Sequence, residues 1–255
     1  MLAKALSLAA DEVIVDLEDA VAPEDKEQAR SLAVEVLRRG ALGRTTALRV
    51  NGRSTAWWED DLRAAADARP DVVVLPKVES AEDVSGAAEL LPEGIGLEAQ
   101  IETALGLVEA ERIAAAGHGI EALVFGPADL AASLGVPVLT IGAGTSDYAL
   151  AHVVAAARSC GLQALDGPHA RLGDDLGLVL SARRAVEHGY DGKWVIHPSQ
   201  IEPVNRIFTP SPADLQRAKR ILEAATGAAR FEGELVDEAS RKLAESLLRR
   251  VEVLG

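Results

Sequence analysis

Short apolar runs rich in Val, Ile and Leu alternate along this chain with longer stretches rich in Ala, Leu, Arg and Glu. The runs recur roughly every 25–40 residues, a spacing typical of βα units with buried parallel strands. This alternation favours a (β/α)₈ barrel or a doubly wound sheet. The predicted strands are residues 13–17, 47–50, 72–75, 95–101, 122–125, 162–165 and 194–197.

The strand count is one short of a closed eight-stranded barrel. The chain opens on a helix-like segment at residues 2–9, which leads directly into the first predicted strand. A barrel of this kind should open with a strand. We therefore expect a barrel that lacks its first strand, or a sheet that is open at that edge and needs to be covered or paired there.

The pattern changes after Ile207. Pro210 and Pro212 interrupt the chain, and two helices are predicted at residues 213–225 and 237–252. The Gly-bounded segment 227–233 between them is typical of a hinge. The sequence therefore predicts a barrel domain over residues 1–210 and a C-terminal helical arm or lid over residues 211–255.

The chain is acidic, with 40 Asp and Glu against 26 Lys and Arg and a formal charge of −14. Nucleic acids and anionic membranes need a basic face, so both are disfavoured as partners. An anionic substrate is still compatible with this acidic chain, because one Arg or metal ion can make the electrostatic potential inside a cleft positive. The single cysteine, Cys160, excludes an intrachain disulfide, and no signal peptide or membrane span is recognisable. We expect a cytoplasmic protein.

Two acidic residues follow two consecutive predicted strands. Glu102 closes the run IGLEAQI, and Asp129 lies in the turn Gly126-Pro127-Ala128-Asp129 after the run ALVF. Active sites of parallel α/β barrels lie where the strands end. Two carboxylates there suit a hard divalent cation such as Mg²⁺, with other positions left to substrate oxygens and water. Either residue alone is also compatible with a helix cap or a solvated loop acid.

Arg49 ends the second predicted strand, where a buried guanidinium requires an anionic partner. Its planar fork suits a substrate carboxylate, and a structural ion pair is the alternative. Asp16, Glu18 and Asp19 crowd the end of the first strand and need a counter-charge, either Arg49 or a metal ion. We interpret Glu18 and Asp19 as groups that orient both, with a helix cap as the alternative for Asp19.

Lys77 also lies at a strand end. A Schiff-base lysine is one interpretation, but a metal site in the same mouth makes it redundant, so we favour an electrostatic or structural role.

The five histidines form no zinc-type motif, and no nucleophile elbow is present. The segment 94–99 matches the dinucleotide pattern formally, but it precedes a strand instead of following one. Asp237, in Gly233-Glu234-Leu235-Val236-Asp237, is by itself most simply a helix cap.

Several segments together resemble the citrate lyase β-subunit-like family of the HpcH/HpaI aldolase superfamily. They are VIVDLEDAVAPEDK, LRVNG with TAWWEDDL, VVLPKVES, QIETALGL, LVFGPADLAASLG, ALDGPH, GYDGKWVIHPSQI and FEGELVD. They occur in order over about residues 11–240. Two positions depart from the family pattern: an opening strand with a Phe-Val-Pro-Gly-like turn is not recognisable, and Glu238 stands where a Pro is common.

This resemblance implies a TIM barrel and a Mg²⁺-dependent carbon–carbon lyase acting on β-hydroxyacyl thioesters of coenzyme A or acyl carrier protein, with a 2-oxo acid as product. Glu102 and Asp129 would then be the metal ligands, and Glu102 would also bind the substrate. Arg49 would bind the carboxylate of the oxo-acid half and take part in catalysis. Asp237 would be the catalytic acid or base on an arm that can reach a neighbouring subunit's site. We accordingly expect a homo-oligomer, a trimer or hexamer.

Two other functions stay open. A thioesterase would hydrolyse a malyl-type thioester in the same site. A non-catalytic or defective citrate lyase-like subunit is favoured by the missing first strand. The sequence does not choose among citryl, malyl and citramalyl thioesters.

Overall fold

A computed structural model describes residues 8–40, 45–137, 147–224, 229–231 and 233–254. Most of the helix-like segment predicted at residues 2–9 therefore lies outside the described residues. The chain forms two compact units, Met1–Val204 and Asn205–Gly255. The domain boundary predicted after residue 210 stays a prediction.

The first unit is built on a parallel sheet in which each strand pairs with the next along the chain. Within the described residues it has seven strands, and β1 and β7 are its edges. The predicted parallel α/β architecture is confirmed. The strands are β1 (Glu12–Asp16), β2 (Thr45–Arg49), β3 (Val72–Leu75), β4 (Gly96–Ile101), β5 (Ile120–Phe125), β6 (Gln163–Asp166) and β7 (Gly192–Lys193).

Helices follow the strands, as the sequence pattern predicts. The predicted capping pair is present: the Ser80 and Asp83 side chains exchange hydrogen bonds with each other's backbone and begin a helix at Ala81. The helices are α1 (Lys26–Arg38), α2 (Trp58–Ala68), α3 (Ala81–Ala88), α4 (Ala104–Val108), α5 (Ala110–Ala114), α6 (Pro127–Ser133), α7 (Asp147–Ser159), α8 (Asp175–His188) and α9 (Ile201–Phe208).

One face of the sheet carries an apolar cluster that shows the sheet to be curved. Ala47, Val72 and Val74 are buried side by side on β2 and β3, and Ile14 of β1 packs against them. Trp194, which follows the last strand, packs on the same cluster. Because a residue beyond β7 reaches β2 and β3, the sheet curls as a barrel does, and this face is its inner one. Residues two positions apart on a strand share a face, so Arg49 and Asp16 also lie on it.

The last strand differs from its prediction. The sequence predicts a strand at 194–197, but the strand is Gly192–Lys193, after which only the Trp194 N–H continues the ladder by donating to the Asp166 carbonyl at 2.8 Å. His197 instead begins the short helical turn Pro198–Gln200, and its side chain accepts the Ser199 N–H. The residue before a proline is biased to extended backbone, which imitates a strand in the sequence pattern.

The second unit contains α10 (Pro212–Ala224) and α11 (Glu238–Leu254), close to the two predicted helices. The predicted hinge at 227–233 is wrong in part, because residues around it form an antiparallel hairpin of β8 (Ala229–Phe231) and β9 (Glu234–Val236). Gly233 has a φ of 90°, which suits the turn between the two strands. In the described parts of the chain, no helix is long and apolar enough to cross a membrane.

Candidate active site

Charged side chains from five consecutive strands meet at the carboxyl end of the sheet. Glu18 follows β1, Arg49 ends β2, Lys77 follows β3, Glu102 follows β4, and Asp129 lies in the first turn of α6 after β5. Contacts between opposite charges join all five into one ion-pair network. This is the end of a parallel barrel where catalytic groups are found.

Glu102 is the most deeply buried member, with a relative exposure of 1%. Its Oε1 accepts the Lys77 N–H at 2.9 Å, and its Oε2 accepts from Gln100 Nε2 at 2.8 Å. Burial, together with the charges of Glu18 and Asp129, raises the pKa of Glu102 to about 8. A cation next to this carboxyl would favour its ionised form.

The fold makes room for Glu102 at Gly126, the residue between β5 and α6. A Cβ at position 126 would lie 2.4 Å from both Cβ and Oε2 of Glu102. Real atoms do not approach so closely, so any other residue at 126 would displace the carboxylate. Gly126 is therefore required for the position of Glu102.

Asp129 and Glu102 face the same positive charge. The Lys77 ammonium lies 3.6 Å from Asp129 Oδ1 and 4.0 Å from Glu102 Oε1, and it also pairs closely with Glu18 Oε1. The Asp129 side chain is 38% exposed, so it faces the open end of the site. Burial would lower the pKa of Lys77, but the hydrogen bond to Glu18 and the three carboxylate charges raise it above its usual range.

Arg49 is held by the acids of β1. Its Nε and Nη2 donate to the two oxygens of Asp16 at 2.8 and 2.6 Å, and its Nη1 lies 3.1 Å from Glu18 Oε2. Parallel register explains this contact, because Asp16 and Arg49 are directly paired across β1 and β2. Burial opposes ionisation of Asp16, but the bonds from Arg49 lower its pKa. The counter-charge that Asp16 requires is therefore Arg49, and part of the guanidinium fork is already used.

Hydrogen bonds fix the loops that carry these groups. The Lys26 ammonium donates to the Leu17 and Glu18 carbonyls at 2.7 and 2.6 Å, which holds the chain after β1. Asn51 donates its backbone and side-chain N–H groups to buried Asp61 of α2, and its amide also reaches the Leu17 carbonyl. Both loops are thereby braced against the sheet, so Arg49 and Glu18 have defined positions.

Two other predicted residues lie differently. Asp19 is exposed. Burial raises the pKa of neighbouring Glu18, and the negative charge of Asp19 adds to this shift. Asp237 belongs to the second unit, where it is exposed and its Oδ1 accepts the Ala239 and Ser240 N–H groups at 3.0 and 3.1 Å at the start of α11. The bond from Ser240 lowers the pKa of Asp237. The cap role is thus present, and the catalytic role stays a prediction.

The charges of the site suit a divalent cation. When all are ionised, the carboxylates of Asp16, Glu18, Glu102 and Asp129 exceed the charges of Arg49 and Lys77 by two. Over the described ranges, no group of three or more His, Cys, Asp or Glu side chains is arranged to hold a metal ion. A Mg²⁺-type ion does not need one, because it binds through one or two carboxylates and keeps water or substrate oxygens. Glu102 and Asp129 fit as those two.

Sequence reasoning did not identify one polar neighbour. Gln100 is buried on β4, two residues before Glu102 and on the same face, and its amide donates to Glu102. Its Oε1 has no hydrogen-bond partner among the described residues. The alternation of side chains along β4 is the signal that would have placed Gln100 beside Glu102.

The fold and the acidic site define a carbon–carbon bond lyase of the TIM-barrel type. A family model of that description matches residues 170–255, and the HpcH/HpaI aldolase/citrate lyase model matches residues 1–198. The chain belongs to the HpcH/HpaI aldolase/citrate lyase family, and the predicted family and barrel fold are confirmed.

Individual relatives agree with this assignment. L-malyl-CoA/beta-methylmalyl-CoA lyase from Cereibacter sphaeroides is 35% identical over 99% of this chain and 91% of its own length. (3S)-malyl-CoA thioesterase from the same species is 37% identical over 100% of this chain and 91% of its own length. The crystal structure of CitE from Mycobacterium tuberculosis with magnesium, acetoacetate and coenzyme A has a TM-score of 0.84 and 37% identity, covering 98% of this chain and 92% of that one.

Proposed function

We propose that this protein is a Mg²⁺-dependent lyase that cleaves a β-hydroxyacyl thioester of coenzyme A, of the malyl, citramalyl or citryl type, into a 2-oxo acid and an acyl-CoA. The observation that carries the proposal is the pair Glu102 and Asp129, whose carboxylates flank one cation position beside Arg49. The lyase relative and the magnesium-bound neighbour support the reaction and the metal.

Bound between Glu102 and Asp129, Mg²⁺ would polarise the substrate's hydroxyl and carboxylate oxygens and offset the negative charge that develops there. Arg49 would contribute its remaining N–H donors to the substrate carboxylate, while Asp16 keeps the guanidinium plane fixed. Because these groups are already oriented and partly buried, they stabilise charge without reorganising during the reaction.

The reaction requires two proton transfers. In the cleavage direction a base removes the proton of the β-hydroxyl group, and the electrons of the broken C–C bond form the thioester enolate. An acid then protonates the enolate carbon to give the acyl-CoA. We propose Asp237 as this acid, because it lies in the segment FEGELVD, which resembles the family motif. Its bonds from Ser240 and Ala239 keep the carboxylate ionised at neutral pH, so it would need to collect a proton before each donation.

Product analysis tests the proposal. The purified protein is incubated with MgCl₂ and, separately, with malyl-, citramalyl- and citryl-CoA, and the products are identified by mass spectrometry. The proposal predicts a 2-oxo acid and an acyl-CoA in equal amounts, lost on addition of EDTA and in Glu102→Gln. Failure to turn over any of the three thioesters would overturn it.

A thioesterase is the second candidate, because a relative of that activity is as similar as the lyase relative. Water would then attack the thioester carbonyl, and the same experiment would give free hydroxy acid and coenzyme A instead. The two functions therefore separate by product alone.

The remaining parts of the proposal concern organisation. We propose a catalytic domain over residues 1–210 with a helical arm over 211–255, a homo-oligomer, and a cytoplasmic location without nucleic-acid or membrane partners. The acidic net charge of −14 and the single exposed Cys160 support the last two points. Sedimentation analysis of the purified protein tests the oligomer.

A further inference from the structure

Lys77 occupies an unusual position in the candidate site, and neither the proposed metal nor the proposed chemistry uses it. Its ammonium is the positive charge that Glu102 and Asp129 share, at 4.0 and 3.6 Å, and it pairs most closely with Glu18. The Lys77 side chain is 36% exposed, so it has space to move towards solvent. A divalent cation bound to Glu102 and Asp129 would lie next to this ammonium and would be repelled by it.

The backbone supports a dedicated role for this lysine. Lys77 has a φ of 52°, in the left-handed region that non-glycine residues rarely adopt. Its N–H donates to Glu102 Oε1, so the strained residue directs both its backbone donor and its side-chain charge at the carboxylate cluster. Strained residues of this kind persist where the surrounding contacts hold them, and such positions concentrate at functional sites.

We propose that Lys77 is the internal counter-cation of this site: its ammonium balances Glu18, Glu102 and Asp129 when no divalent cation is bound, and competes with that cation when it binds. The inference rests on the proposed function, since it takes Glu102 and Asp129 as the cation ligands. Lys77 thereby sets how tightly the site holds Mg²⁺, and so how readily the site exchanges it.

The proposal predicts two effects of opposite sign. Without Lys77, the protein lacking a divalent cation loses the charge that balances three close carboxylates, so its unfolding temperature should fall. The affinity for a divalent cation should rise, because the repelling charge is gone. A lysine that merely supports the structure would give a different result: its loss would loosen the ligands and lower stability and affinity together.

The test measures binding of Mn²⁺, as the paramagnetic substitute for Mg²⁺, by electron paramagnetic resonance. Lys77→Gln should bind Mn²⁺ at least about tenfold more tightly than the wild type, because one unit charge close to the ion is removed. Lys77→Arg keeps the charge and should stay within about threefold of the wild type. Arg112→Gln removes an equal charge that is exposed and paired with Glu109, and should leave the affinity unchanged.

Lys77→Asn is made in parallel, because Asn tolerates the left-handed backbone and protects the test if the Gln variant does not fold. Both neutral variants should bind more tightly than the wild type and should unfold at a lower temperature when the cation is removed. Unchanged or weaker binding in the neutral variants, with binding intact in the wild type, would overturn the inference and leave the proposed site standing. If the wild type binds no Mn²⁺, the site itself is wrong and the inference falls with it.

Discussion

The inner face of the sheet carries two groups of acidic side chains, one near each end of the strands. The group at the carboxyl end contains Asp16, Glu18, Glu102 and Asp129, with Arg49 and Lys77 among them. The group towards the amino end centres on Glu12, the first residue of β1, and Glu98 of β4. Glu98 lies on β4 and Glu102 directly follows that strand with the same alternation of side chains, so the two groups can be compared directly.

The two groups relieve their repulsion by different means. Burial raises the pKa of Glu12 to about 7, and burial together with the Glu12 charge raises the pKa of Glu98 well above its usual value. Nearby Glu121 and Asp71 add further negative charge. A proton shared by Glu12 and Glu98 therefore relieves their repulsion, whereas at the carboxyl end Arg49 and Lys77 offset the acids beside Glu102, whose own pKa is raised to about 8 when no cation is bound.

The difference shows how position along a strand decides the role of a carboxylate. At the amino end a shared proton satisfies the pair, and we expect it to matter for stability. At the carboxyl end, when all four carboxylates are ionised, two fixed cationic side chains leave an excess of two negative charges, which suits a divalent cation. This agrees with the general division of barrels into a catalytic and a stabilising end.

The largest expected effect separates the two ends by activity. Glu102→Gln removes a cation ligand and should lower kcat by about 10²–10³-fold, by analogy with the loss of an electrostatic stabiliser. Glu98→Gln, the matched change four residues earlier on β4, should keep kcat within about twofold, since it touches no reacting group. Steady-state assays of both variants with the active thioester provide the measurement. Comparable losses in both variants would contradict the division into two roles.

A smaller effect, on the affinity for a divalent cation, is expected when the Glu102 carboxylate is kept but displaced. Gly126→Ala places a methyl group where Glu102 lies and should weaken Mn²⁺ binding about tenfold or more, since misplaced ligands bind poorly. Gly86→Ala is the control, because the atoms nearest its new Cβ are those of the flexible Arg53 side chain at 3.7 Å and beyond. It should bind Mn²⁺ like the wild type. Wild-type binding by Gly126→Ala would show that Glu102 is not held as described.

The smallest effect concerns the amino-end pair. Its raised pKa values mean that the native chain binds more protons than the unfolded chain between about pH 4.5 and 7. The free energy of unfolding should therefore fall as the pH rises through this window, by about 1–2 kcal/mol from this pair. Urea unfolding without divalent cations should show a shallower fall in Glu98→Gln than in the wild type. The same slope in both proteins would exclude a shared proton.

Much of this arrangement was predictable from the sequence. Short apolar runs placed β1 to β6 within a residue or two of their observed bounds, and the rule that parallel strands end together predicted that Glu102 and Asp129 lie close to each other. The prediction failed at β7, because Gly192 and Lys193 do not form an apolar run. It also failed at the hairpin β8–β9, because flanking glycines are as typical of a turn as of a hinge.

The sequence left open whether Arg49 or a metal ion balances the acids after β1, and it predicted neither the contacts of Lys77 nor those of Glu98. Asp16 accepts hydrogen bonds from the guanidinium of Arg49 because the register between β1 and β2 places the two residues side by side. The sequence alone does not determine this register. Lys77 has a left-handed backbone, and its ammonium lies within reach of three carboxylates from three different segments of the chain. Glu12 and Glu98 meet only because the sheet curls and brings β1 and β4 together across its inner face. Each of these depends on tertiary geometry that local pattern does not encode.

The central claim is that the carboxylates at the carboxyl end hold a divalent cation and those at the amino end do not. Counting bound Mn²⁺ by equilibrium dialysis tests it directly in four proteins. We expect about one ion per chain in the wild type and in Glu98→Gln, and none in Glu102→Gln or Asp129→Asn. Full occupancy in Glu102→Gln, or its loss in Glu98→Gln, would contradict the account.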